Sequence, residues 1–267
     1  MSSADFDASA AAAPDSGLFG LCDSRESAKV IILPVPFDAT TSYKRGTADG
    51  PAAILRASHQ VDLFDRQTGR PYAAGIHLLP EDPRVKEWNG AARQAADPII
   101  AVGGVLDEAT GRTLQAQRQR VNSLQDELTQ WVEATVEELL AAGKLVGVLG
   151  GDHSVPLGAI RAHARRWPGL GILHIDAHAD LRAAYEGFTQ SHASIMHNVV
   201  TQLPAVARLV QVGLRDVCAE EVELIAQSGG RIRPFFDAEL ADARDAGVPW
   251  LAQCERIVRA HDGQILQ

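Results

Sequence analysis

Side chains able to hold a metal cluster in one stretch of this chain, between Val146 and Asp180. Two apolar runs, VGVL and LGILHI, each end in them: Asp152 and His153 follow the first, and Asp176, His178 and Asp180 follow the second. Alternate side chains of an extended backbone share a face, so Asp176, His178 and Asp180 are expected to project together where the second run leaves the core. Two carboxylates held close repel, and one would stay protonated. A divalent cation removes that penalty and favours both ionised forms. One imidazole with two carboxylates and no nearby cysteine suits Mn, Zn, Fe or Ni better than an all-oxygen Ca or Mg cage. Of the nine histidines, six lie from His153 to His197 (His153, His163, His174, His178, His192 and His197), so the imidazoles are concentrated rather than scattered. The plainer alternative is a pair of strand-end loops whose Asp and His cap neighbouring helices. It is the weaker reading for the Asp-x-His-x-Asp cluster, and stronger for His153 taken alone.

The elements that must position these residues follow from periodicity. Residues up to about Ser27 are small, polar and acidic, which predicts a mobile tail. AKVIILPVP predicts a short β-branched strand ended by Pro34 and Pro36, and Pro51 opens a helix to about Leu63. A weaker strand is expected over 72–79. Residues 80–112 are punctuated by Pro80, Pro83, Pro98, Gly103 and Gly104 and predict a surface connection with some helix around 91–100. Val121, Leu124, Leu128, Val132, Val136 and Leu139 recur at three- and four-residue steps, the stripe of an amphipathic helix that Gly143 ends. KLVGVLGG is then a strand whose Gly150-Gly151 pair allows a tight turn into Asp152 and His153.

A helix to about Arg166 and a strand over 170–175 lead into the aspartate cluster. After a loop, SHASIMHNVVTQL predicts a helix with Ser191 as its cap, His192 near its start and His197 inside it. ARLVQVG, CAEEVELIAQ, RIRPFFD and VPWLAQCERIVRA continue the alternation of strand and helix. Such alternation implies right-handed crossovers and a mostly parallel sheet with helices on both faces. Ligands of these folds lie beyond the carboxyl ends of the strands, where His153 and the aspartate cluster fall.

Composition narrows the class. An apolar share of 46% with 22% charged residues is ordinary for a globular protein, and a formal charge of −9 argues against nucleic-acid or anionic-membrane partners and favours a cationic substrate. No run of about 18 apolar residues predicts a membrane span, and the N-terminus lacks a secretory signal. Cys22, Cys218 and Cys254 are odd in number and widely spaced, which predicts neither a disulfide framework nor a zinc pattern, and a cytoplasmic setting.

GGDHS at Gly150 to Ser154, DAHAD at Asp176 to Asp180 and the Ser191-His192 loop resemble the ureohydrolase family of arginases, agmatinases, guanidinobutyrases and formiminoglutamases. SYKRGTADGPAAI near the start and GLRD at Gly213 to Asp216 add support, and the resemblance runs from about Ile31 to Ala260. The segment DLRAAYEGFTQSHAS looks more like agmatinase-type members. The resemblance implies an α/β fold, a three-layer α/β/α sandwich with a mostly parallel sheet, in a domain over 28–267. It implies two Mn²⁺ ions, the first held by His153, Asp176 and Asp180 and the second by His178 with a share of Asp176. Asp180 would also orient a metal-bound hydroxide. His192 would hold substrate or pass a proton to the leaving amine. The substrate would be a small guanidino cation, agmatine-like or arginine-like, hydrolysed to urea and an amine.

The family supplies further aspartates from a later strand of the type S-x-D-x-D-x-x-D-P, which does not occur in residues 1–267. The expectation is therefore an incomplete domain lacking its C-terminal part, binding one metal or fewer, with an apolar face that favours homo-oligomers. The alternatives to catalysis by this chain are an inactive or partial ureohydrolase acting as subunit or binding partner, and a zinc deacetylase of arginase-like fold.

Overall fold

The computed structural model of the chain describes residues 12, 13, 15–104, 111–261, 265 and 266. The region expected as one domain contains two compact units, residues 1–159 and 160–267. No helix among the described residues is long and apolar enough to cross a membrane.

In the first unit β1 (Val30–Val35) lies between β2 (Ile76–Leu78) and β3 (Leu145–Gly150), all parallel. The strand continues through Pro34, which the sequence analysis expected to end it. The Val30 amide donates to Gly75 O and the Ile32 carbonyl accepts from Leu79 N, so residues of that parity face β2. Pro34 shares the parity and sits past the end of β2 at Leu78, where its missing N–H breaks no ladder.

Order begins earlier than the expected tail to residue 27 allowed. Residues 18–20 form a turn with Leu18 and Leu21 buried, and the Phe19 amide donates to Ser58 Oγ at 2.9 Å. Two leucines in a polar segment are enough to fasten it. Residues 1–11 lie outside the described residues.

Three helices complete this unit: α1 (Gly50–Ser58), α2 (Pro83–Ile100) and α3 (Gly111–Ala141). The first stops short of the expected Leu63. The second is much longer than expected, because Asp82 caps it by accepting the Arg84 amide at 2.9 Å and Pro83 sits in its first turn. Pro98 falls in its final turn. In α3 all six residues of the apolar stripe are buried, and Trp131 meets Trp88 of α2 edge to face at 6.4 Å.

The loop after β1 is organised by Asp38, whose carboxylate is fully buried. It accepts from Gly46 N at 3.0 Å, Ala48 N at 3.1 Å and Arg93. Burial pushes this carboxyl up, but the Arg93 guanidinium and the two amides outweigh it and hold it below the usual carboxylate range. The loop in turn holds the end of β3: Gly151 N donates to Thr47 O at 3.2 Å.

The second unit is entered through α4 (Leu157–Arg166). Its strands β4 (Leu170–Ile175), β5 (Val206–Leu214), β6 (Ile232–Phe236) and β7 (Ile265–Leu266) are parallel in the order β6-β5-β4-β7. Helices α5 (Ile195–Gln202), α6 (Ala219–Gln227), α7 (Asp237–Asp245) and α8 (Trp250–Arg259) connect them. Val210, Phe235, Leu240 and Ile257 form a core cluster against Leu173 and Val212. Arg231 ties the end of α5 to β5, donating to the carbonyls of Val200, Leu203 and Val206 at 2.6, 2.7 and 3.0 Å.

Two glycines separate strain from crowding. Gly151 has φ 68°, and a Cβ there would lie 2.3 Å from Phe37 O and 2.6 Å from Val35 O; Gly143 has φ 74° with nothing within 4 Å. Gly143→Ala should therefore cost only the left-handed strain, about 1–2 kcal/mol. Gly151→Ala should cost about 3 kcal/mol or more, because backbone must also move. Equal losses in urea denaturation of the two variants would show that the close approach at Gly151 carries no weight.

Candidate metal centre

Strand β4 carries the sequence LGILHI to its carboxyl end, and Asp176 follows at once. Its amide donates to Val212 O of β5 at 3.1 Å, so the carboxylate starts from a fixed point. Four residues of extended chain would set Asp180 about 13 Å further on. Instead, one oxygen of Asp176, one of Asp180 and a ring nitrogen of His174 lie within 4.8 Å of one another. The backbone folds back rather than continuing.

Three features make that turn. Asp176 Oδ1 accepts the His178 amide at 2.9 Å, a local turn closed by the side chain itself. Ala177 O accepts from Arg215 N at 2.9 Å and Asp216 N at 3.1 Å, pinning the loop beside the end of β5. Asp180 takes φ 53°, a conformation that aspartate tolerates better than most residues, and its carbonyl accepts the Met196 and His197 amides at 3.0 and 3.1 Å. Those two amides belong to the first turn of α5, whose N–H groups have no partner inside the helix.

The next residue is held as firmly. Glu221, 3% exposed on α6, accepts Leu181 N on one carboxylate oxygen at 2.8 Å and Cys218 N on the other at 2.9 Å. One side chain thus caps α6 and fixes the chain immediately after Asp180.

Asp176 and Asp180 are brought together as the sequence analysis expected, though by a turn and not by strand alternation. His178 is not part of that grouping. Its ring is largely exposed, with Nδ1 3.3 Å from Asp176 Oδ1 and Nε2 3.8 Å from Asp216 Oδ2. Asp216 is the last residue of the GLRD motif, and its proximity to His178 follows from parallel pairing of the two segments. His153 follows β3 in the first unit and is half-buried. Its neighbour Asp152 is occupied locally: it accepts Ser154 N at 2.9 Å and Ser154 Oγ at 2.5 Å, while its amide donates to Phe37 O.

His192 opens a short 3-10 turn, His192–Ser194, ahead of α5. Ser191 is fully buried, with its hydroxyl 2.8 Å from that of Ser194. The His192 ring packs edge-on to Tyr185 at 5.6 Å, and its Nδ1 is buried with no hydrogen-bond partner among the described residues. Tyr185 to Phe188 form a tight hairpin turn with Glu186 at φ 52° and Gly187 at φ 84°. Burial pushes the Glu186 carboxyl up. His197, expected as an ordinary helix position, is depressed by burial.

His174 is a neighbour of the aspartates that its apolar strand context disguised in the sequence, although it shares their parity along β4. Glu221 was hidden too, since it reads as one acid among several in CAEEVELIAQ.

Residues 28–258 match the Arginase family. The chain belongs to that family. It is 33% identical over 211 residues to N(1)-aminopropylagmatine ureohydrolase of Thermus thermophilus, covering 78% of this chain and 58% of the relative. The chain thus spans less than two thirds of the length of the curated relatives it matches. The agmatine ureohydrolase of Thermoplasma volcanium superposes with a TM-score of 0.62 at 20% identity, over 95% of this chain and 69% of that one. A Trypanosoma cruzi formiminoglutamase solved with Mn²⁺ gives 0.63 at 16% identity, over 93% and 71%. These likenesses show the fold, the arginase-type α/β/α sandwich with parallel strands that the sequence motifs implied.

Two outcomes are expected for the residues that shape this arginase-family site. Glu221→Ala leaves two amides without an acceptor and removes a helix cap, so it should cost about 2–4 kcal/mol in denaturant titration; a loss near zero would mean water replaces the carboxylate freely. For Glu186 the folded carboxyl is raised, so the unfolded chain ionises first and stability is lost as pH rises from the unfolded value through the folded one. Glu186→Gln should therefore melt higher than the unaltered chain at pH 7 and alike at pH 4. A gap that is the same at both pH values would contradict the shift.

Proposed function

We propose that this chain is the metal-binding part of a ureohydrolase that releases urea from a small cationic guanidino compound of the agmatine class. The observation that carries the reading is the approach of Asp176 and Asp180 at the end of β4, in a chain of the arginase family. Positive charge between two carboxylates with ligand atoms within 4.8 Å of one another favours their ionised forms, and the donor set is one a divalent metal would take. The residues fit the group. His153, Asp176 and Asp180 would hold one ion, and His178 with Asp176 would contribute to a second. Mn²⁺ is the proposed ion, as in the T. cruzi enzyme of the same fold. Bound there, it would supply Lewis acidity that lowers the ionisation of water toward neutral pH.

The chain's own residues have distinct parts in the proposal. Asp180, one of the metal ligands, also accepts a hydrogen bond from the attacking water and so fixes its direction. His192, with a buried Nδ1 that pairs with nothing among the described residues, carries a proton toward the leaving amine. A net charge of −9 favours a cationic guanidine over an anion. The preference for an agmatine-type amine over an amino acid is supported by the aminopropylagmatine and agmatine ureohydrolases that the chain is similar to. Free thiols at Cys22, Cys218 and Cys254 suit the cytoplasm, and self-association into a homo-oligomer is proposed with it.

Purified chain loaded with MnCl₂ and offered agmatine, N(1)-aminopropylagmatine and arginine should release urea, with metal counted by mass spectrometry. Asp176→Ala should lose bound metal, and His192→Ala should keep it while turnover falls about 10²–10⁴-fold. Metal loss in the His192 variant would make it a ligand instead. No urea with one metal or fewer per chain would overturn catalysis by this chain and favour a partial, non-catalytic family member. Acetate released from acetylated amines in place of urea would favour the deacetylase.

A further inference from the structure

His174 lies close enough to Asp176 and Asp180 to serve as a third metal ligand. Its ring is 4% exposed, and Nε2 is the nitrogen that faces the site, 3.5 Å from Asp176 Oδ2. The other nitrogen decides what Nε2 can do. Directly across the sheet, in register on β5, stands Gln211, fully buried. Its Nε2 lies 2.9 Å from His174 Nδ1 and 2.7 Å from Ala179 O.

A backbone carbonyl can only accept. The group of Gln211 that faces Ala179 O is therefore the NH₂, since the opposite assignment would press two carbonyl oxygens together at 2.7 Å. The second hydrogen of that NH₂ points to His174 Nδ1, which must then accept and carry no proton. In a neutral imidazole the proton is then on Nε2. A nitrogen bearing a proton offers no lone pair to a metal.

We infer that Gln211 locks His174 as the Nε2–H tautomer, so that a protonated nitrogen faces the Asp176 carboxylate from 3.5 Å and does not bind the cation. His174 is a positioning residue: it orients the Asp176 oxygen pair and, as such outer partners do, strengthens the ligand's hold on a metal. Ala179 O joins the lock to the loop that carries Asp180, so one amide side chain sets the tautomer on β4 and braces the turn between the two aspartates. The inference rests on the metal reading above for its consequence, and on the metal-free chain for its geometry.

The test is long-range ¹H–¹⁵N correlation of histidine ring nitrogens in the full chain, assigned with His174→Gln and recorded without metal and with Zn²⁺ as a diamagnetic probe. His174 should show a protonated Nε2 and bare Nδ1 in both states. A proton on Nδ1 in the metal-free chain, or loss of the Nε2 proton on adding Zn²⁺, would overturn the inference. By calorimetry, His174→Phe should bind Zn²⁺ about 10–100-fold more weakly at unchanged stoichiometry, while His174→Gln, which keeps an N–H donor, recovers most of the affinity. A drop in stoichiometry for both variants would make His174 a ligand, and unaltered binding in both would remove any role. Should the Phe variant fail to fold, the tautomer spectrum of the unaltered chain still decides. Absence of any Zn²⁺ binding by the unaltered chain would sink the metal reading separately, with the lock judged on the metal-free spectrum.

Discussion

Two like charges, on Asp176 and Asp180, have to be kept near one another at the tip of a single strand, and much of the second unit is arranged around that demand. Repulsion alone would drive the carboxylates apart or leave one protonated. Backbone groups help the chain resist this. The amide of Asp176 is tied to β5, the carbonyl of Asp180 is tied to the first turn of α5, and the residue after it is tied to Glu221. Each of these bonds also satisfies a group that a helix end or a strand end would otherwise leave open. Stability of the elements and geometry of the site are therefore one set of interactions.

The first unit uses a buried carboxylate in the reverse sense. Asp38 is neutralised by Arg93 and by backbone amides, and what it gains is a rigid loop. That loop seats Gly151, whose close approach to Phe37 and Val35 leaves no room for a side chain. The contrast with Asp176 and Asp180 is chemical. A carboxylate with an arginine beside it is structural, whereas a pair brought together at the carboxyl end of a parallel strand is where an arginase-family protein would place a cation.

His174 and Gln211 show why proximity to a metal site is not the same as ligation. By distance His174 is as good a candidate as the aspartates. Hydrogen-bond direction, traced from a carbonyl that can only accept, assigns it the opposite part. Such outer contacts orient the ligand oxygens before any ion arrives.

Much was readable in the string of residues. The α3 stripe, the strand over 170–175 and the alternation of strand and helix depend on local periodicity, and periodicity is a property of neighbours in sequence. GGDHS and DAHAD pointed to the family for the same reason, since their chemistry is packed into a few adjacent positions. What periodicity could not carry was contact across distance. That His174 faces Gln211, that His178 pairs with Asp216, and that Glu221 reaches Leu181 all depend on the register of β4 against β5 and on where α6 docks. The convergence of Asp176 and Asp180 was anticipated with the wrong cause, because an extended strand would have carried them apart. Residue types and their spacing announced a chain of this family with a candidate metal site; the direction in which each ring and carboxylate points was fixed by hydrogen bonds between segments that the spacing of residues does not encode.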